Sequence, residues 1–177
     1  LPPAEQERAI HDFIVENVRY DKLEKPYSHE VIGPLTNGVG VCEGMAKTVK
    51  LLCDGLGLPC MIAISDRDRA NGDRYLHAWN IVQLGGQCYH LDATFDNSLS
   101  KHGALRYDYF NLDDVKIFRD HRKLLYPAPA CTDGGQFYYK VQHLSWTKPE
   151  EAARRVDQAL RKKQPGLVFH WRGGYLT

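Results

Sequence analysis

Gly85-Gly86 sits between two runs of strand-forming residues, Leu76 to Leu84 and Gln87 to Thr94. Two adjacent residues that tolerate positive φ make a two-residue turn whose twist matches the strands it joins. That one turn fixes the facing of a whole hairpin. It pairs His77 with Thr94 and Trp79 with Asp92, and strand alternation puts all four on one face. His77 and Asp92 are then diagonal neighbours, about 7–8 Å apart at Cα and within side-chain reach. A four-residue loop keeps that parity, whereas a three-residue loop sets the two on opposite faces.

Upstream, Gly38-Val39-Gly40-Val41 leads into Cys42-Glu43-Gly44-Met45-Ala46, so a glycine-rich loop delivers a cysteine to the first turn of a helix. The helix runs from about Cys42 to Leu56. Met45, Val49, Leu52 and Leu56 make its apolar stripe, Ala46 and Cys53 widen it, and Gly55, Gly57 and Pro59 end it. Unpaired N–H groups and the positive end of the dipole at such a start favour thiolate over thiol. Gly44 admits another backbone or a substrate at close range. Glu43 is expected to face solvent. A cysteine there can equally be a small buried apolar residue, but a histidine and a carboxylate on one strand face supply what a nucleophilic sulfur needs: a base, and a group that fixes the base's tautomer.

Elsewhere the pattern is coarser. Ile10, Phe13, Ile14 and Val18 mark a first helix, and Asp21 to Gly40 reads as a long irregular connection. Cys60 to Ile64 reads as a short buried strand and Asp66 to Arg74 as a charged, solvated loop. A strand is expected around Tyr107 to Leu112, a short helix over Asp113 to Lys123, and a strand over Phe137 to Leu144. Thr147 and Glu150 have capping-box spacing. They open a helix to about Lys163, with Ala152, Val156 and Leu160 on its apolar face and Arg154, Arg155, Arg161, Lys162 and Lys163 on its wet one.

The chain has 177 residues, consistent with one domain. With 23 basic and 22 acidic residues its formal net charge is +1, which gives no support to a nucleic-acid groove or an anionic membrane surface. No apolar run reaches the roughly 18 residues of a membrane helix. The start Leu1-Pro2-Pro3 reads as a processed or excised piece. Five cysteines, none in a CxxC pair, leave at least one thiol free. A zinc site drawn from Cys42, Cys53, Cys60, His77, Cys88 or His90 lacks paired-ligand spacing, and Asp66, Asp68 and Asp73 lack the spacing of an EF-hand.

The strings GVGVCEGMAKTVKLLCDGLGLPC, LHAWNIV and CYHLDATFDN resemble the three motif blocks of the transglutaminase-like superfamily, over about Ile10 to Phe110. The resemblance implies an α+β fold with a papain-like core, its nucleophile helix packed on an antiparallel β-sheet. It implies Cys42 as nucleophile, His77 as general base and acid, and Asp92 as its orienter, spaced as in the compact bacterial and archaeal members. The chemistry implied is acyl transfer from amide bonds of protein or peptide substrates through a thioester: a transglutaminase, amidase or peptidase, without a cofactor or metal, in a secreted or cell-envelope setting. The oxyanion would take a first donor from the Cys42 backbone N–H and a second from Tyr27 or Asn37, with Trp79 shielding the pair or lining the acyl site. Tyr27 could equally be a packing tyrosine, Asn37 a turn residue and Trp79 a core aromatic; Asp96 and Asn97 either extend the polar rim or form a turn. A core of about 10–110 with an extension of about 127–177 is expected, the latter matching no motif. The competing expectations are a non-catalytic binding module on the same fold and a structural piece of a larger envelope or secreted protein.

Overall fold

The computed structural model describes residues 1–66 and 76–175. Beyond Asp66 the charged loop, with Asp68 and Asp73, lies outside the described residues. In chain order the elements are α1 (Pro3–Asn17), β1 (Arg19–Tyr20), β2 (Val39–Gly40), α2 (Cys42–Gly55), β3 (Cys60–Ile64), β4 (Ala78–Leu84), β5 (Gln87–Leu91), α3 (Ala93–Leu99), β6 (Phe110–Leu112), α4 (Asp114–Ile117), α5 (Tyr138–Val141), β7 (Ser145–Trp146), α6 (Pro149–Arg161) and β8 (His170–Trp171). The fold is α+β. An antiparallel sheet of order β3-β4-β5-β6 carries α2 across it, and the buried side chains of Met45, Val49, Val82 and Leu91 belong to the core they share.

The hairpin has the expected register, with Leu84 opposite Gln87 and Asn80 opposite Leu91. Gly85 and Gly86 both take positive φ, 56° and 81°, as a mirror-image two-residue turn requires. Its strands are shorter than expected. β5 ends at Leu91 because Asp92 leaves the ladder to cap α3, accepting the Phe95 N–H at 3.0 Å. His77 precedes β4, so the pairings of His77 with Thr94 and Trp79 with Asp92 fall outside the ladder although the side chains still converge.

The Asp21-to-Gly40 connection holds a 3₁₀ turn at Pro26–His29 and a π-type turn at Gly33–Asn37. Asp21 organises it, accepting the Ser28 hydroxyl at 2.5 Å and the N–H groups of Leu23 and Lys25 at 3.0 Å. Ser28 in turn meets the start of α2. Its carbonyl accepts the Val41 N–H at 3.1 Å, and a Cβ on Gly44 would stand 2.1 Å from that oxygen. Glycine at position 44 is therefore a packing requirement.

Other expectations need correction. Phe137 to Leu144 contains the helical turn α5, not a strand: Tyr138 stacks on Tyr107 at 3.6 Å and the Tyr139 hydroxyl accepts the Tyr107 N–H, so tertiary contacts override the strand preference of aromatic residues. Lys148, not Thr147, is the N-cap of α6, which puts Thr147 one residue outside the helix and leaves the capping box unformed. Ala152 and Ala159 are the buried residues of α6, whereas Val156 and Leu160 are exposed, because small side chains let the helix lie close. On α2, Leu56 is exposed rather than part of the stripe.

Candidate active site

Cys42 is the first residue of α2, and Val41 before it is extended with no side chain capping the helix. The sulfur is thus carried on the first turn of the helix, where the backbone N–H groups have no intrahelical partner. Glu43 points outward as expected, bonded to Lys47 at 3.0 Å and His29 at 3.1 Å.

His77 is gripped through its backbone by Ser65, at the end of β3: its N–H donates to Ser65 Oγ at 3.1 Å and its carbonyl accepts the Ser65 N–H at 2.9 Å. The ring Nε2–H donates to Asp92 Oδ2 at 2.6 Å, which leaves Nδ1 as the ring's other nitrogen, and the Cys42 sulfur acts electrostatically on the same ring. Burial favours the neutral ring, but the Asp92 carboxylate and the Cys42 sulfur outweigh it and push the His77 pKa up to about 10. Asp92 is fully buried. Burial alone would raise it; the imidazoles of His121 and His77 overcome that and hold it at about 2. Of the sulfur, imidazole and carboxylate singled out in the sequence, the imidazole and carboxylate are joined by a hydrogen bond, and the sulfur acts electrostatically on the same ring.

Trp79 is a core aromatic, 1% exposed, lying face-on to the His77 ring. Its indole N–H donates to His90 Nδ1 at 2.9 Å and so is already engaged. Asn37 uses its amide N–H on the Ile32 carbonyl at 3.3 Å. Tyr27 stands at the loop surface with the Lys25 ammonium 5.7 Å from its ring centroid. Asp96 and Asn97 are neither rim nor turn. They are buried in α3, where Asp96 accepts from His11 at 2.8 Å and Asn97 donates to the Val15 and Val18 carbonyls, because polar groups enclosed with α1 must be bonded.

Two neighbours carry no sequence signal. Tyr20, on β1 beside Gly40, has its phenol pKa raised by burial and then by the charge of the Cys42 sulfur. His121 donates from Nε2 to the same Asp92 Oδ2 at 2.6 Å and from Nδ1 to Asp120 Oδ1 at 2.7 Å. A cleft of about 370 Å³ opens on this side, lined by Ser65, Asp66, His77, Phe95, His121 and Arg122 among others.

Ligand-type atoms of His77, Asp92 and His121 lie within 4.8 Å of one another, as do those of His90, Asp114 and Cys131. Direct hydrogen bonds satisfy the carboxylate in each: two imidazole N–H groups on Asp92, and His90 Nε2–H with the Cys131 backbone N–H on Asp114 at 2.7 and 3.1 Å.

Residues 1–93 match the core model of the transglutaminase-like superfamily. Among solved structures, a candidate cysteine protease from Cytophaga hutchinsonii is 27% identical, with 50% of this chain and 30% of that one covered and a TM-score of 0.42. Another, described as a TGase, is 14% identical over 53% of this chain and 27% of that one, with a TM-score of 0.45. The chain thus spans less than a third of the length of either protein. No curated protein matches it.

Proposed function

Because the chain belongs to the transglutaminase-like superfamily, we propose that it is a thiol enzyme acting on amide bonds of protein or peptide substrates, with Cys42 as nucleophile, His77 as base and acid, and Asp92 as the orienter of His77. The observation that carries this is the 2.6 Å hydrogen bond from His77 to the buried Asp92 carboxylate, with Cys42 at the start of α2 acting electrostatically on the same imidazole. A sulfur at a helix start, an imidazole held by a buried carboxylate and one exposed edge on the pair are the parts nucleophilic catalysis requires.

The Cys42 thiolate bonds to the acyl carbon and the carbonyl π pair moves onto oxygen. Collapse of that intermediate expels the amine, which takes the proton from His77 Nδ1. Water or a second amine then attacks the thioester, gives its proton to His77 and releases the sulfur as thiolate. The oxyanion is met by the Cys42 N–H. For the second donor, Trp79 and Asn37 already have their N–H groups engaged and Tyr27 lies at the loop surface. Tyr20, paired with Gly40 two residues before Cys42 and sensing the charge of its sulfur, is the hydroxyl we assign to it. Residues 1–177 are taken as one unit, the extension docking on the core through Tyr138 and Tyr139.

Iodoacetamide labelling at neutral pH tests this. The parent is expected to label rapidly at Cys42; equal labelling of Cys42→Ala would remove the sulfur from its role. Casein with a labelled amine then separates transfer from hydrolysis, since incorporation of the amine reports transfer and cleavage or ammonia release alone reports hydrolysis.

A further inference from the structure

We propose that His121 is a positioning residue for the Cys42–His77–Asp92 run, holding the Asp92 carboxylate in place and ionised through a second N–H on the oxygen that receives His77. This rests on the thiol-enzyme reading above.

The Asp92 carboxylate divides its oxygens. Oδ1 caps α3 through the Phe95 N–H, and Oδ2 accepts from both His77 and His121 at 2.6 Å. A helix cap needs neither imidazole. Enclosing a second one beside a buried carboxylate is costly unless both its nitrogens are bonded, and here both are. Nδ1 of His121 donates to Asp120, whose other oxygen accepts the Tyr109 hydroxyl. The ring is enclosed by Phe95 at 4.5 Å, Trp79 edge-on at 4.9 Å and His77 at 5.3 Å.

The backbone route is equally specific. After α4 the chain returns beside β3, where Asp66 N–H donates to the Lys123 carbonyl and Leu125 N–H to the Ile64 carbonyl, both at 2.8 Å, and Ser65 bridges Leu124. Ser65 also grips the His77 backbone. One strand end therefore sets both imidazoles against the same carboxylate oxygen. The titratable and charged groups facing this point are His77 ahead of β4, His90 on β5 and Tyr109 ahead of β6, with Asp120 and Arg122 on its own segment and Asp66 across the cleft.

Taking away the His121 N–H makes Asp92 a stronger acceptor for the His77 proton, so the pH profile must move. The test is the rate of Cys42 alkylation by iodoacetamide against pH in the parent, His121→Phe and His121→Gln, with circular dichroism as the folding control. His121→Phe keeps the ring packing without a donor. It is expected to shift the alkaline limb upward by about one pH unit. His121→Gln offers an amide N–H to Asp92 and is expected to recover most of that shift. A His121→Phe profile superimposable on the parent, or shifted downward, would overturn the proposal. So would His121→Gln behaving like His121→Phe, since ring shape rather than the N–H would then matter. Should His121→Phe not fold, the ¹⁵N-histidine spectrum of the parent decides: slowly exchanging low-field ring N–H signals from both His77 and His121 support the shared oxygen, and absence of the His121 signal overturns it. A parent in which Cys42 is not preferentially alkylated defeats the thiol-enzyme reading, and the histidine spectrum still tests the shared oxygen separately.

Discussion

Trp79 lies face-on to His77, ring centroids 5.6 Å apart at 23°, and hands its indole N–H to His90 Nδ1 at 2.9 Å. Because that nitrogen accepts, the proton of His90 sits on Nε2 and donates to Asp114 Oδ1 at 2.7 Å. The wall behind His77 is thus held by a bonded chain from α4. Trp79→Phe keeps an aromatic face but leaves the buried His90 nitrogen without its donor, which costs about 1–3 kcal/mol. Thermal unfolding should register that loss, while Cys42 alkylation at neutral pH should fall less than for His77→Ala.

Asp92 joins fold and site. Asp92→Asn retains an acceptor for the Phe95 N–H but puts a neutral group where His77 and His121 both donate. The expected result is a loss of about 10²–10⁴-fold in amide turnover, the range associated with proton transfer by a positioned base, at nearly unchanged secondary structure. Steady-state kinetics beside circular dichroism would check it; a variant within a few fold of the parent would remove Asp92 from the orienting role.

What the sequence made legible was local. The Gly85-Gly86 turn and period-two alternation determine the hairpin register between neighbours in the chain, so the meeting of His77 and Asp92 could be foreseen even though Asp92 leaves the strand. The helix start at Cys42 follows from Gly38 to Gly44 in the same way. His121 could not be foreseen, because its place depends on Lys123 to Leu125 pairing with Ile64 to Asp66, a contact between distant segments. Tyr20 is set opposite Gly40, two residues before Cys42, by the parallel pairing of β1 with β2, which two residues per strand cannot announce. Phe137 to Leu144 misled because three consecutive aromatic residues favour a strand until Tyr107 offers a stacking partner.

Gly44 makes the delivery of Cys42 sensitive to a single methyl group. A Cβ there would meet the Ser28 carbonyl oxygen at 2.1 Å, and that oxygen also accepts the Val41 N–H. Gly44→Ala must push the Pro26–His29 turn away from α2, at about 1–3 kcal/mol for an overpacked contact. Denaturant unfolding should show the loss, and Cys42 alkylation should slow as the start of α2 shifts. Gly55→Ala, where nothing lies within 4 Å, is the control.

Glu7 predicts the pH dependence of stability. It is fully buried on α1, its Oε2 accepts the Asn111 Nδ2–H at 2.9 Å, and Glu7 Oε1 and Asn111 Oδ1 are both without partners. Burial pushes its pKa up to about 7, against the pull of Asn111 and His11. Protonation removes the buried charge of Glu7, which is what its enclosure favours. The folded state therefore binds this proton more tightly than the unfolded chain does. Its contribution is intact below pH 4.5, the ordinary value, and stability declines as pH rises through about 7, by about 3 kcal/mol. His11 is also buried. Burial disfavours its charge, but bonds to Asp12 and Asp96 push its pKa up to about 9, so its contribution is complete below pH 6.5 and is lost as pH rises through 9. Both slopes run downward with increasing pH. Glu7→Gln is permanently uncharged and should make the fall between pH 4.5 and 7 shallower, leaving the part due to buried Asp96, raised to about 6, and the loss above pH 8 in place. Urea unfolding of parent and variant across pH 5 to 9 measures both segments, and a parent curve that does not fall between pH 5 and 7.5 more steeply than that of Glu7→Gln would show that Glu7 is not the group responsible.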